Sequence, residues 1–213
     1  MQVPLSDWSA WAPGLNSPEK WRRHLHGDLQ LAENEKPDVS FLPAMFRRKL
    51  SPLGRMLFYT ANSLGDKSPL NKAPLVFASR HGELDLSISL INSGLNALPC
   101  SPAKFSMSVH NSPIGLFSIQ NRNTRPSTAV SAGRRTLEMG ITEALCTAEE
   151  YGDALLIYAD LPLSEDYKNY VDENEFPVCL ALYFNKLAAS QDLVFKNENE
   201  FQALELIRQL LTK

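Results

Sequence analysis

Hydrophobic positions along this chain recur with two periods, and their alternation predicts its architecture. Short apolar runs bounded by turn-forming residues read as buried strands at Pro74–Ala78 and Asp153–Asp160, Val178–Phe184 reads as a further strand, and Phe105–Val109 and Ser127–Ser131 as strand-like segments. Between these runs the spacing turns helical. Leu84, Ile88, Ile91 and Leu95 fall four, three and four residues apart, which sets them on one helical face. Leu137, Ile141, Ala144, Leu145 and Ala148 mark a long amphipathic helix, and Phe201, Leu204, Ile207 and Leu211 a closing one whose terminal Lys213 suits the negative end of its dipole. Ahead of the first strand, Ser17 is placed to cap a helix that opens on Pro18 and turns Trp21, Leu25 and Leu29 inward. A second helix is expected from about Pro52 to Leu64. A strand-to-helix order of this kind argues for an α/β fold with a largely parallel or mixed sheet layered with helices. No internal repeat interrupts it, so residues 1–213 are expected to form a single domain.

Composition narrows the function classes. With 21 Lys plus Arg against 24 Asp plus Glu, the formal charge of −3 gives no global attraction to nucleic acid or to an anionic membrane. Basic surface is local, and densest at Arg47, Arg48, Lys49 and Arg55. The apolar runs fall far short of the roughly 20 residues that cross a bilayer, so no transmembrane segment is expected. Met1 to Asp7 lack the features of a secretory signal, which makes a cytoplasmic chain the expectation. Cys100, Cys146 and Cys179 are odd in number and widely spaced, against both a disulfide framework and a zinc site, and are expected to be buried thiols. The Gly-rich nucleotide loops, the H-E-x-x-H zinc motif and the G-x-S-x-G elbow are all absent, so no metal and no cofactor is implied.

Two constellations remain. Ser79-Arg80-His81-Gly82-Glu83 follows a predicted strand directly. It resembles the Arg-His-Gly-Glu of histidine phosphatases and phosphoglycerate mutases, in which the His accepts a phosphoryl group and the Arg binds the phosphate. A neutral imidazole attacks phosphorus while a planar guanidinium neutralises the oxygens, so Arg80, His81 and Glu83 form an alternative phosphomonoesterase site. The one His downstream, His110, does not resemble that family's second His, and a structural Arg–His pair at a strand end competes with the reading.

The second constellation is longer. Asn111, Gly115, Ser118, Ile119, Pro126, Glu143 and Ala144 match the pattern of the β-ketoacyl synthase family without a gap, and Ser101-Pro102 precedes Gly115 as in chain-length factors. With the Trp-rich opening and Ser79–Glu83, the chain looks most like the short, chain-length-factor-like proteins with a β-ketoacyl synthase N-terminal domain, including those of aryl-polyene pathways. The resemblance implies half of a thiolase-like fold and a soluble partner of a full-length synthase in fatty-acid, polyketide or aryl-polyene synthesis. It also implies an acyl carrier protein as deliverer of substrate, for which Arg47, Arg48, Lys49 and Arg55 are the candidate docking residues.

Departures from the family decide the expected role. A condensing cysteine stands where a strand meets a helix N-terminus, because the dipole lowers its pKa and backbone N–H groups serve the oxyanion. The gapless match puts Arg134 there, and neighbouring Ala132, Gly133 and Arg135 offer no thiol either; Cys146 lies twelve residues further on. The family's decarboxylation pair comes from a second half that this chain is not expected to contain. The resemblance therefore implies a non-catalytic subunit, with Phe105, Ser106, Met107, Val109, His110 and Asn111 facing the synthase or its acyl tunnel. Cations at a helix start oppose the dipole, so Arg134 and Arg135 call for a carboxylate or phosphate nearby. An autonomous carrier-protein-binding module is the remaining alternative.

Overall fold

A computed structural model describes residues 1–96, 98–171, 175–195 and 201–212. Its centre is a five-stranded mixed sheet in the order β2-β6-β5-β3-β4, built from β2 (Leu5–Trp11), β3 (Leu75–Ala78), β4 (Ser127–Val130), β5 (Asp153–Asp160) and β6 (Val178–Asn185). Strands β3, β4 and β5 run parallel, while β6 is antiparallel to both β5 and β2. A two-stranded antiparallel pair, β1 (Gln2–Val3) with β7 (Gln191–Asp192), ties the opening residues to the segment after β6.

The central strands are buried on both faces, which is why they read as unbroken apolar runs. Val76, Ala78, Ala154, Leu156, Tyr158, Leu180 and Leu182 point to one layer, with Trp21 of α1 (Pro18–Leu25), Ile141 of α8 (Thr136–Tyr151) and Leu206 of α9 (Gln202–Leu211). Leu75, Phe77, Leu155, Ile157, Cys179 and Ala181 point to the other, against Leu57 of α3 (Pro52–Asn62) and Phe117 of α7 (Ser112–Gln120). The two crossovers between parallel strands lie in these opposite layers. From β3 to β4 the chain moves outward, and from β4 through α8 to β5 it moves back, so right-handed connections pass on opposite faces.

Three helices begin with the same Ser-Pro device. The hydroxyls of Ser17, Ser51 and Ser101 accept from the backbone N–H of Lys20, Gly54 and Lys104, opening α1, α3 and α6 (Pro102–Met107) respectively. The third case corrects an expectation. Phe105–Val109 is not a strand: Pro102 fixes a helical φ and Ser101 caps it, so Phe105, Ser106 and Met107 lie in α6. The opening segment departs the other way, because Trp8 and Trp11 lie in β2, where alternation hides behind Ser and Asp. Leu29 falls beyond α1, and α3 ends at Asn62. In α5 (Leu84–Leu95) only Ile88 is buried, while Ile91 and Leu95 of the same apolar face are 57% and 79% exposed. Cys179 is buried as expected, but Cys100 and Cys146 are exposed, since neither lies on a core-facing position. Lys213 lies outside the described residues, and the last-turn cation of α9 is Arg208.

The contact of α8 with the sheet is close enough to require glycine. A Cβ on Gly140 meets the Ala78 Cβ at 2.7 Å and Leu156 Cδ1 at 3.2 Å. Gly to Ala inside a helix ordinarily adds up to about 1 kcal/mol. Here the sign reverses: Gly140→Ala is expected to destabilise by about 1–3 kcal/mol through overpacking. Gly94→Ala in α5, where a Cβ meets open space, keeps the ordinary stabilising sign. Urea unfolding midpoints of the two variants check the contrast.

Candidate functional site

Three carboxylates organise the carboxyl ends of the parallel strands, the edge of an open α/β sheet where ligand sites form. Asp160 ends β5 and, because Ala78 pairs with Tyr158, it projects beside the loop that follows β3. It accepts from Ser79 Oγ at 2.8 Å, from the Arg80 N–H at 2.9 Å and from the His81 N–H at 3.1 Å. Burial pushes the Asp160 carboxyl upward in pKa, and these donors pull it back toward the charged form. Ser79 Oγ then accepts from the Gly82 N–H at 2.8 Å, closing the loop on itself. Gly82 has φ +57°, and a Cβ there meets His110 Cδ2 at 2.8 Å. Only glycine allows the approach, which lets His110 Nε2 donate to the Ser79 carbonyl at 2.8 Å.

Glu175 is the second carboxylate. Its Oε1 accepts from His81 Nε2 at 2.7 Å and Arg80 Nη1 at 3.3 Å, and its Oε2 from the Leu163 N–H at 3.3 Å. With the Glu175 side chain only 7% exposed, this pairing fixes the loop to the segment after β5. It also occupies the imidazole nitrogen and guanidinium of the alternative phosphomonoesterase site, giving Arg80 and His81 a structural employment. Glu83, the third, accepts from Ser51 Oγ, whose oxygen caps α3. Burial raises its pKa above the ordinary 4.5, with the Ser51 hydrogen bond opposing the shift and Asp85 reinforcing it.

Beside this network lies a half-open cavity of about 680 Å³. Leu84, Leu86, Met107, Pro113, Leu116 and Leu161 supply apolar wall, and Arg48, Lys49 and Lys104 also line it. Among the sequence-derived candidates, His81, Glu83, Ser106, Met107, Arg48 and Lys49 meet here. Phe105 and Val109 do not, being 68% and 49% exposed, nor do Asn111, exposed at the start of α7, and His110, turned to the Ser79 loop. Arg55 Nη2 donates to the Arg47 carbonyl at 2.8 Å, so the basic cluster divides into an inner pair and an exposed one, Arg48 and Lys49.

Arg134 sits in the 3-10 turn Gly133–Arg135 between β4 and α8, exposed and apart from the cavity. The carboxylate that cations at this helix start call for is Glu138, whose oxygens accept from Arg135 Nε at 2.9 Å and Nη2 at 3.1 Å. The Arg135 hydrogen bond holds the Glu138 carboxyl below its usual range. Cys179, deep in the sheet, is pushed by burial up to about 12 and is inert as a nucleophile. Sequence reasoning missed Asp160 and Glu175. The first left a signal, a charge closing an otherwise apolar strand run; the second left none.

A strand-turn-helix at Arg134, a mixed sheet and a two-layer α cover are the setting in which the family comparison is decisive. Residues 19–210 match the family model described as the β-ketoacyl synthase N-terminal domain. The chain belongs to the β-ketoacyl synthase family. Among solved structures, it is 27% identical to a chain of the ketosynthase ApeO in complex with its chain length factor ApeC from Xenorhabdus doucetiae, covering 99% of this chain and 92% of that one with a TM-score of 0.80. The ishigamide ketosynthase/chain length factor matches at 17% identity and TM-score 0.62, over 89% of this chain and 63% of that one. The ketosynthase of module 6 of the bacillaene synthase from Bacillus subtilis 168 matches at 12% identity and TM-score 0.60, over 88% of this chain and 37% of that one. No curated protein matches. The α/β sheet is thus the thiolase-like fold of ketosynthases, and no helix among the described residues is long and apolar enough to cross a membrane.

Two outcomes test the network. Asp160→Ala leaves two part-buried N–H groups and a buried hydroxyl without their acceptor, and is expected to cost about 3 kcal/mol in urea unfolding. For Glu83, a folded pKa above 4.5 means that the native chain holds its proton more tightly than the unfolded chain. Its effect on stability is most favourable below that value and worsens as pH rises through the raised one. Glu83→Gln is therefore expected to melt near wild type at about pH 4 and above it at about pH 7, read from thermal melts across that range.

Proposed function

We propose that this β-ketoacyl synthase domain is the non-catalytic, chain-length-factor-like partner of a full-length synthase in fatty-acid, polyketide or aryl-polyene synthesis. The observation that carries the reading is the turn before α8. Where the family resemblance places the nucleophile stands Arg134, and its flanking residues Ala132, Gly133 and Arg135 bring no thiol. The turn is also closed on itself: Thr136 Oγ1 accepts from the Ala132 N–H at 2.9 Å and donates to the Gly133 carbonyl at 2.6 Å.

A matched chain of the ApeO–ApeC complex, 27% identical and covered over 92% of its length, gives further support. The surface fits a partner as well. β4 ends the sheet on one side, with Ser127 to Ala129 exposed and a row of backbone groups open to a further strand. Elsewhere on the surface Ile91, Leu95, Phe105, Val109 and Ile119 are all 49% or more exposed. Apolar groups shown in such number mark a protein interface more often than a free surface. Arg48 and Lys49 are the residues for an acidic acyl carrier protein; Arg47 and Arg55 serve the inner pair.

Co-expression with a full-length synthase from the same source, followed by size-exclusion chromatography with mass determination, tests the pairing. A one-to-one complex is expected, weakened about tenfold or more by Phe105→Arg or Val109→Arg. A monomer that ignores the synthase overturns the reading.

A further inference from the structure

We propose that residues 161–163 form a strap over the cavity beside the Ser79–Glu83 loop, and that Glu175 is the latch that holds the strap closed. Leu161, Pro162 and Leu163 all line the cavity. They run from the end of β5 to the turn at Ser164, whose carbonyl accepts from the Tyr167 N–H. Strand β5 is tied to β6 as far as Asp160, which pairs with Val178, and there the ladder stops. Among the described residues, the bond from the Leu163 N–H to Glu175 Oε2 at 3.3 Å is the one hydrogen bond that residues 161–163 make. Pro162 is exposed, Leu163 is part buried, and Leu161 meets the core only from its edge. A segment with so few bonds and so little buried surface opens ahead of the sheet it leaves.

The latch itself is firmly seated. With its side chain 7% exposed, Glu175 accepts from His81 Nε2 at 2.7 Å and from Arg80 Nη1 at 3.3 Å. A carboxylate withdrawn from water is held strongly by such donors and is costly to leave without them. His81 and Arg80 are in turn fixed through their backbone N–H groups to Asp160. Phe176 anchors the latch from the other side, its ring centroid 6.4 Å from that of His24 and 5.3 Å from that of Phe201. Glu175 is thus the fixed post, and residues 161–163 are the part that moves. Because His81 also lines the cavity, a molecule that draws the imidazole away from Glu175 loosens the latch, so occupancy and opening are linked. Every group in the device belongs to this chain, so it does not depend on capture of a synthase.

Thiol labelling of the full chain reads the strap directly. In a Cys100→Ser, Cys146→Ser background, which removes the two exposed thiols, Leu116→Cys sets a thiol on another wall of the cavity, and buried Cys179 remains as the control for global unfolding. With the strap closed, N-ethylmaleimide is expected to react well ahead of a polyethylene-glycol maleimide. Glu175→Gln is expected to raise the rate of the bulky reagent about tenfold, to speed amide exchange at Leu163 by a similar factor, and to leave Cys179 unlabelled. His81→Gln, which leaves Glu175 to Arg80 and Leu163, is expected to act in the same direction by a smaller factor, and it carries the test if Glu175→Gln exposes Cys179. Bulky-reagent rates within about twofold of the latched chain, in variants that keep Cys179 buried, overturn the proposal whatever happens at the Leu163 amide. Labelling of Cys179 in both variants overturns it as well, since the pairing then holds the whole fold rather than a strap.

Discussion

The hydrogen bonds that converge on Asp160 are the constraint on which the rest of this structure depends. A carboxylate at the end of a fully buried strand is costly unless its oxygens are satisfied. The first residues after β3 satisfy them, because parallel pairing of β3 with β5 brings Ser79, Arg80 and His81 within reach. The loop is thereby fixed in the one conformation in which Gly82 passes under His110. From that fixed loop, His81 and Arg80 reach Glu175, and Glu83 reaches Ser51. Separate segments are thereby held to one strand end, and the cavity lies beside them.

The same loop explains why a motif that resembles a phosphoryl-transfer site does something else here. Catalysis needs an imidazole with a nitrogen open to substrate and a guanidinium aimed at the same point. Glu175 accepts from His81 Nε2 and from Arg80 Nη1 and is itself nearly inaccessible. Such a pairing trades reactivity for rigidity. It is worth more at the end of a sheet, where loops otherwise drift, than on an exposed helix such as that of Arg135 and Glu138.

How much was legible in the sequence follows from which signals are local. Asp153–Asp160 and Val178–Phe184 were readable because strands buried on both faces leave continuous apolar runs, and α8 because Leu137, Ile141, Ala144 and Ala148 face one layer. β2 was not, since an edge strand paired on one side tolerates Ser6, Asp7 and Ser9 among its tryptophans. Phe105–Val109 misled for a different reason: its alternation of large and small residues suits a strand, whereas a cap at Ser101 and a proline at Pro102 commit it to a helix. Of the candidate site, His81 and Glu83 were found by motif. Asp160 and Glu175, 79 and 94 residues away from His81, were set beside it only by the fold.

The turn before α8 completes the start of its own helix. A long helix presents unsatisfied N–H groups and a partial positive charge at its start, conditions that favour a thiolate. Here the Thr136 hydroxyl spans the turn from Ala132 to Gly133, and Glu138 returns a negative charge to the first turn against Arg135. The helix start is capped and charge-balanced from within. Its packing role is unchanged, because Gly140 still seats α8 directly on Ala78 and Leu156.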